Sequence, residues 1–193
     1  MKKTIFISLF LIALNIPLLA QFESGCFELG GSLGFYLMNE SMKNRNNEEK
    51  NDASLFICSI NPAIYIVQGL SIEPEIGLML MENEKPGIFL LGNVSYTYLI
   101  PDKSIAPYAK IGFGATNSLA IPNVNLYSKA SEDLDITIFN LAGGVKFLIN
   151  KTAIIKTELN YRKFSYSEDT YFSKIDYSRD FISILLGISF VLN

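Results

Sequence analysis

Residues 26–37 read Cys-Phe-Glu-Leu-Gly-Gly-Ser-Leu-Gly-Phe-Tyr-Leu, and the stretch has a period of two. Phe27, Leu29, Leu33, Phe35 and Leu37 fall on one parity, interrupted only by Gly31. Glu28, Gly30, Ser32, Gly34 and Tyr36 fall on the other. Successive side chains of a β-strand point to opposite faces, so this is a strand with one apolar face and one small or polar face. The pattern recurs seven more times. Strands are predicted near 54–67 (Phe56, Cys58, Ile60, Pro62, Ile64, Ile66), 71–81 (Ile72, Pro74, Ile76, Leu78, Leu80) and 88–99 (Ile88, Leu90, Val94, Tyr96, Tyr98). Others follow near 106–116 (Ala109, Ile111, Phe113), 135–149 (Phe139, Leu141, Val145, Phe147), 153–164 (Ile155, Leu159, Tyr161) and 180–192 (Ile182, Ile184, Leu186, Ile188, Phe190, Leu192). Pro62 and Pro74 lack a ladder donor and are expected to mark bulges or the ends of regular pairing. In the second strand Leu55, Ile57 and Val67 make the other parity apolar as well.

The polar parity separates two all-β architectures. A soluble barrel of lipocalin type turns its apolar parity inward and its charges to water, and would bind a small apolar ligand. A membrane barrel does the reverse. Here the polar parity is rich in Gly, Ser and Asn rather than in the mixed Lys and Glu of a solvated surface. Its charges are Glu28, Glu73, Glu75 and Glu158, with Lys110, Lys146, Lys156 and Arg162, a balanced set. Buried charge is tolerated when it is paired, so a closed polar lumen predicts these eight as an interior ionic network. The apolar parity carries no charge through any strand centre, where a Lys or Arg facing lipid would cost about 2–4 kcal/mol. Tyr96, Tyr98, Phe147 and Phe190 gather toward one strand end and Phe35, Phe56 and Tyr161 toward the other, as two interfacial girdles would.

The connections point the same way. They are predicted at 39–53, 68–70, 82–87, 100–105, 117–134, 150–152 and 165–179, with most odd-numbered ones long and polar and the even-numbered ones short. An even-stranded membrane barrel has this asymmetry, with short periplasmic turns and longer extracellular loops. Ahead of the first strand, Lys2 and Lys3, the apolar run Ile5–Ile16 and a small residue at Ala20 have the order of a secretory signal peptide. Cleavage near Ala20 leaves residues 21–193 as the barrel domain. Glu23 occupies a position where a lipidation signal preceding Cys26 would hold an aliphatic residue. Cys26 and Cys58 could pair in an oxidising compartment, but two cysteines make no disulfide framework.

Composition narrows the function. With 16 Lys+Arg against 19 Asp+Glu, the balance argues against nucleic acid as a main partner, because phosphate binding needs a basic face. It has no histidine, which excludes imidazole-based catalysis and the commonest metal ligand. Gly30-Gly31 and Gly112-Phe113-Gly114 lie inside strands, so they are not phosphate loops. No cofactor is expected, and the chain is expected not to be an enzyme. An eight-stranded interior can be filled by side chains, with Met79, Tyr108 and Leu148 available, so no wide aqueous pore is expected.

From residue 21 onward the chain resembles the small eight-stranded outer-membrane barrels, the OmpA-like or OmpX-like proteins, in pattern rather than by a signature motif. The closing segment Phe181-Ile-Ser-Ile-Leu-Leu-Gly-Ile-Ser-Phe-Val-Leu-Asn193 looks like the terminal strand such proteins present to the outer-membrane barrel assembly machinery. It departs from that pattern by ending in Asn193, with Phe190 three places earlier. The resemblance implies residence in the outer membrane, lipid contact and a structural or adhesive role. Function is expected in the loops. Tyr166, Tyr171, Phe172 and Tyr177, set among charges, are candidate contacts for an extracellular protein or glycan.

Overall fold

The computed structural model of the chain describes residues 22–44, 47–81, 86–117, 136–169 and 174–192. The alternating segments form eight strands: β1 (Phe27–Asn44), β2 (Asn47–Val67), β3 (Leu70–Met81), β4 (Gly87–Thr97), β5 (Ile105–Thr116), β6 (Ile136–Leu148), β7 (Ala153–Asp169) and β8 (Lys174–Leu192). Each strand pairs antiparallel with the next in sequence, and β8 returns to β1 to close a barrel. Closure satisfies the backbone of the wall without leaving an edge, which is what lets a sheet cross a bilayer.

Parity decides which face looks where. On β8, Ile182 is 71% and Ile184 65% exposed, while Phe181, Ser183 and Leu185 between and beside them are buried. The same alternation runs through β4. Large apolar side chains therefore form the outer surface: Leu33, Ile60, Ile76, Phe113, Leu141, Leu159 and Ile188 are all exposed. Such a belt is unfavourable in water and suited to lipid. The barrel is transmembrane. A soluble lipocalin-like barrel would need the opposite parity.

The wall is sheared. From Phe27 the paired residues run Ile64, Ile72, Val94, Ile111, Leu141, Tyr161 and Ile182. Ile182 lies two places before the Ile184 that pairs with Phe35. The path thus returns to β1 well above its start, and the strands tilt accordingly.

Two expectations are corrected. Pro62 and Pro74 do not bulge the sheet; they mark an interruption of regular pairing, close to the other outcome expected of them. Pairing between β2 and β3 passes from Ile60↔Ile76 to Ile64↔Ile72 in one register, and both prolines sit in that interval. Each keeps a partner on its other edge, Leu29 for Pro62 and Gly92 for Pro74. The two missing donors share one interruption, so each strand loses a bond on that edge alone. The register shift falls instead between Tyr65 and Val67.

The second correction concerns 39–53 and 165–179, expected as loops. β1 and β2 stay paired through Asn44↔Asn47, and β7 and β8 through Asp169↔Lys174. Polar composition reads as loop, but a hairpin ladder is held by backbone hydrogen bonds and needs no apolar face. Tyr166 and Tyr177 are consequently strand residues, opposite each other in register. Tyr171 and Phe172 lie outside the described residues, as does the expected signal peptide. Of the remaining connections, 68–69, 98–104 and 149–152 lie at one end and 82–86 and 117–135 at the other, and the predicted asymmetry rests on 117–135 alone.

Candidate functional site

The lumen is layered. Its middle is polar and holds all eight charged residues of the polar parity, each at most 5% exposed. In an upper group, Arg162 Nη2 donates to Glu75 Oε1 at 2.7 Å, and Lys110 Nζ lies 2.8 Å from Glu158 Oε2 and 3.8 Å from Glu75 Oε2. A lower group centres on Glu28. Its Oε2 accepts from Lys146 Nζ at 2.8 Å and from the Tyr65 hydroxyl at 2.7 Å; its Oε1 accepts from Ser189 Oγ at 2.7 Å. Lys156 Nζ stands 4.0 Å from Glu28 Oε1. Glu73, also buried, takes a long hydrogen bond of 3.4 Å from Ser71 and joins none of these ion pairs. Tyr108 connects the two groups: its hydroxyl donates to Glu158 at 2.8 Å, and its ring centroid lies 5.4 Å from Lys146 Nζ.

Asparagines extend the network across the barrel. Asn140 Nδ2 donates to Asn93 Oδ1 at 2.8 Å, and Asn160 Nδ2 donates to Asn140 Oδ1 at 2.9 Å and to Glu158 Oε1 at 2.9 Å. Asn93 and Asn140 reach each other over β5 because Gly112 stands between them in register. A Cβ at 112 would overlap the Asn93 side chain. The same device recurs under three large inward side chains. Phe89 lies over Gly77, Leu185 over Gly34 and Tyr108 over Gly144. Inward glycines in this wall are the complements of bulk on the neighbouring strand.

Apolar layers close the polar middle on both sides. Toward the long-loop end Leu55, Ile57, Met79, Phe89, Leu91, Ile136, Ile138, Phe164 and Phe181 form one buried cluster. The Arg162 guanidinium sits on it, 4.6 Å from the Phe89 centroid. Toward the short-turn end Phe22, Cys26, Tyr65, Ala106, Leu148, Ile154 and Val191 form a second cluster. The interior is therefore polar in its middle only, and Met79 and Leu148, expected among the side chains that fill it, lie one in each apolar layer. Alternation assigns a face but not a height, and Phe89, Ile138, Phe164 and Phe181 have the same inward parity as the charges. The apolar second parity of β2 (Leu55, Ile57) was the visible signal. Phe22 precedes the first alternating segment and gave none.

Chemically, the arrangement is a set of buried ions, seven of which pair with one another while Glu73 stands beside them with a hydrogen bond from Ser71. Among the described residues, no group of three or more His, Cys, Asp or Glu is placed to hold a metal. Cys26 is buried in the lower cluster, Cys58 sits on the outward face of β2, and no disulfide joins them.

Solved structures share this architecture. The N-terminal barrel domain of Pseudomonas aeruginosa OprF superposes with a TM-score of 0.51 at 15% identity, over 88% of this chain and 98% of that one. Neisserial surface protein A superposes with a TM-score of 0.52 at 10% identity, over 86% and 97%. The fold is that of the small eight-stranded outer-membrane barrels. Pseudomonas aeruginosa OprG, at 15% identity and a TM-score of 0.50 over 89% and 97%, has the same barrel. No family profile and no curated protein matches the chain. At these identities the likeness is one of fold.

Proposed function

We propose that this barrel is a non-enzymatic outer-membrane protein, exported by a signal peptide removed near Ala20, that presents a binding surface outside the cell. The observation that carries the reading is the unequal reach of the strands. Pairing of β8 with β1 ends at Phe35↔Ile184, that of β2 with β3 at Leu55↔Met81, and that of β6 with β7 at Thr137↔Ser165. The β1–β2 and β7–β8 hairpins continue beyond those points. Among the described residues they rise as two ribbons whose outer edges carry no partner strand. Unpaired backbone edges accept an extended segment of another molecule. Tyr171 and Phe172, between the ends of β7 and β8, add aromatic anchors for a protein or glycan.

The closed lumen supports a structural rather than a porin role, since apolar layers cap the ions at both ends. The absence of histidine supports a non-enzymatic reading. β8, which runs to Leu192, is the segment offered to the assembly machinery, and the outer belt is the surface offered to outer-membrane lipid. Two experiments test this. The protein should fractionate with outer membranes, resist high-salt extraction and migrate differently on gels before and after boiling. Recovery as a soluble periplasmic protein would overturn the placement. Replacing 39–52 with a two-residue turn should keep that fractionation and gel shift while abolishing attachment of expressing cells to immobilised extracellular-matrix protein or glycan. Unchanged attachment would remove the binding role and leave the barrel.

A further inference from the structure

We propose that residues Phe22–Cys26 are a stopper that closes the periplasmic end of the lumen, with Phe22 as the part that fits the opening. Although this segment precedes β1, it is not a loose tail. Tyr65 N donates to Cys26 O at 3.0 Å and Gly25 N donates to Tyr65 O at 2.8 Å, which prolongs the β1–β2 pairing below Phe27↔Ile64. At Gly25 the chain turns with φ of 89°, a left-handed conformation that glycine adopts without strain. The turn sends the chain under the barrel rather than along the wall. Ser24 Oγ then donates to Ile66 O at 2.6 Å, and Gly69 N, in the β2–β3 turn, donates to Phe22 O at 2.9 Å. Four hydrogen bonds thus fix five residues across the mouth.

The outcome is a phenylalanine with no exposed surface at a position outside the sheet. Its ring packs on Tyr65 at 5.3 Å between centroids, tilted by 59°. Above it stands Lys146 Nζ, 5.3 Å from the Phe22 centroid, 5.5 Å from that of Tyr65 and 5.4 Å from that of Tyr108. Three ring faces around one ammonium ion hold the stopper by cation–π attraction, which strengthens where water is excluded. Lys146 is in turn fixed by Glu28. The stopper is therefore fastened to the ionic network that it covers. Tyr65, Ala106, Leu148, Ile154 and Val191 of the same cluster are strand residues and Leu99 packs against it from the β4–β5 connection, so this segment can be altered without breaking a strand of the barrel.

Cys26 supplies the probe, being 9% exposed within the same cluster. In full-length Cys58→Ser protein in lipid nanodiscs, a charged, membrane-impermeant maleimide should label Cys26 slowly. Phe22→Ala should speed that labelling about tenfold or more, because thiol reactivity follows access. Phe22→Leu, which keeps most of the volume and loses the ring face, should fall between the two. The gel shift on boiling must be retained in each variant. Labelling of Cys26 at the wild-type rate in a folded Phe22→Ala barrel would overturn the proposal. A comparison that leaves Phe22 in place decides the matter if Phe22→Ala does not fold. A thiol introduced by Glu23→Cys, at an exposed position of the same segment, should react fast in the folded protein while Cys26 reacts slowly. Equal rates would show that the segment does not close the mouth.

Discussion

The polar middle of the lumen and the apolar layer above it occupy the same face of the same strands, yet different physics holds each. In the middle, Glu75, Arg162, Lys110 and Glu158 are held by directed contacts of 2.7–2.8 Å, and each group is tolerated only because its partner is present. Above, Phe89, Phe164, Phe181 and their neighbours are held by volume, with Phe164 and Phe181 edge to face at 5.0 Å. Inward-facing position in a membrane barrel therefore specifies burial, not polarity. Polarity is set by height: ions where they can meet across a narrow bore, hydrocarbon where the bore must be shut.

Substitutions that treat the two layers alike should expose the difference. The largest effect is expected in the ionic layer. Arg162→Ala leaves Glu75 buried without its closest cation and should cost about 3–5 kcal/mol, read from urea unfolding in lipid vesicles. Pairing it with Glu75→Leu should recover part of the loss, because no charge is then left buried without its partner. No recovery would mean that Arg162 acts through packing on Phe89 alone. Phe89→Ala, in the apolar layer, should cost about 3 kcal/mol through the cavity it leaves, and no second change that restores only polarity should rescue it. Gly112→Ala should follow at about 1–3 kcal/mol, since the new methyl group displaces Asn93 from its bond to Asn140. Smallest of all is Leu159→Ala on the outer face, about 1 kcal/mol or less, because lipid covers the shortened side chain. Its neighbour in sequence, Glu158, faces inward, so Glu158→Ala should exceed it severalfold in the same assay. Across this series, reconstituted wild-type protein should show no steady conductance steps in a planar bilayer, and a reproducible large conductance would contradict two-sided closure.

Much of the wall is legible in the sequence, and the reasons are local. Period-two alternation is a property of each strand by itself, so the outward parity of Leu33, Ile76, Leu159 or Ile188 follows without knowledge of any partner. The choice between lipid and water on that face follows from the Gly, Ser and Asn opposite it. Height and length are different matters. Whether inward Phe181 or inward Ser183 meets the ions depends on the register and shear of all eight strands, which no single segment encodes. The upper reach of β1–β2 and β7–β8 was misread because polarity marks the end of the membrane belt, not the end of a ladder. Phe22 was invisible for a third reason: its partners, Tyr65, Gly69 and Lys146, are far along the chain, and it belongs to no repeat. The asparagine bridge could have been found by looking for an inward glycine flanked, one strand away on each side, by Asn93 and Asn140.

The pairing of bulk with glycine has a consequence for how this protein can change over time. Phe89 over Gly77, Leu185 over Gly34 and Tyr108 over Gly144 each share one parcel of space between two strands. Neither member can enlarge alone without a clash, and neither can shrink alone without a hole. Among descendants of this sequence such positions should drift as couples, a larger residue on one strand accompanied by a smaller one beside it. The outward positions have only fluid lipid to accommodate and should exchange Leu, Ile, Val and Phe independently of one another. Correlated substitution would then trace the inside of the barrel, and uncorrelated substitution its outside.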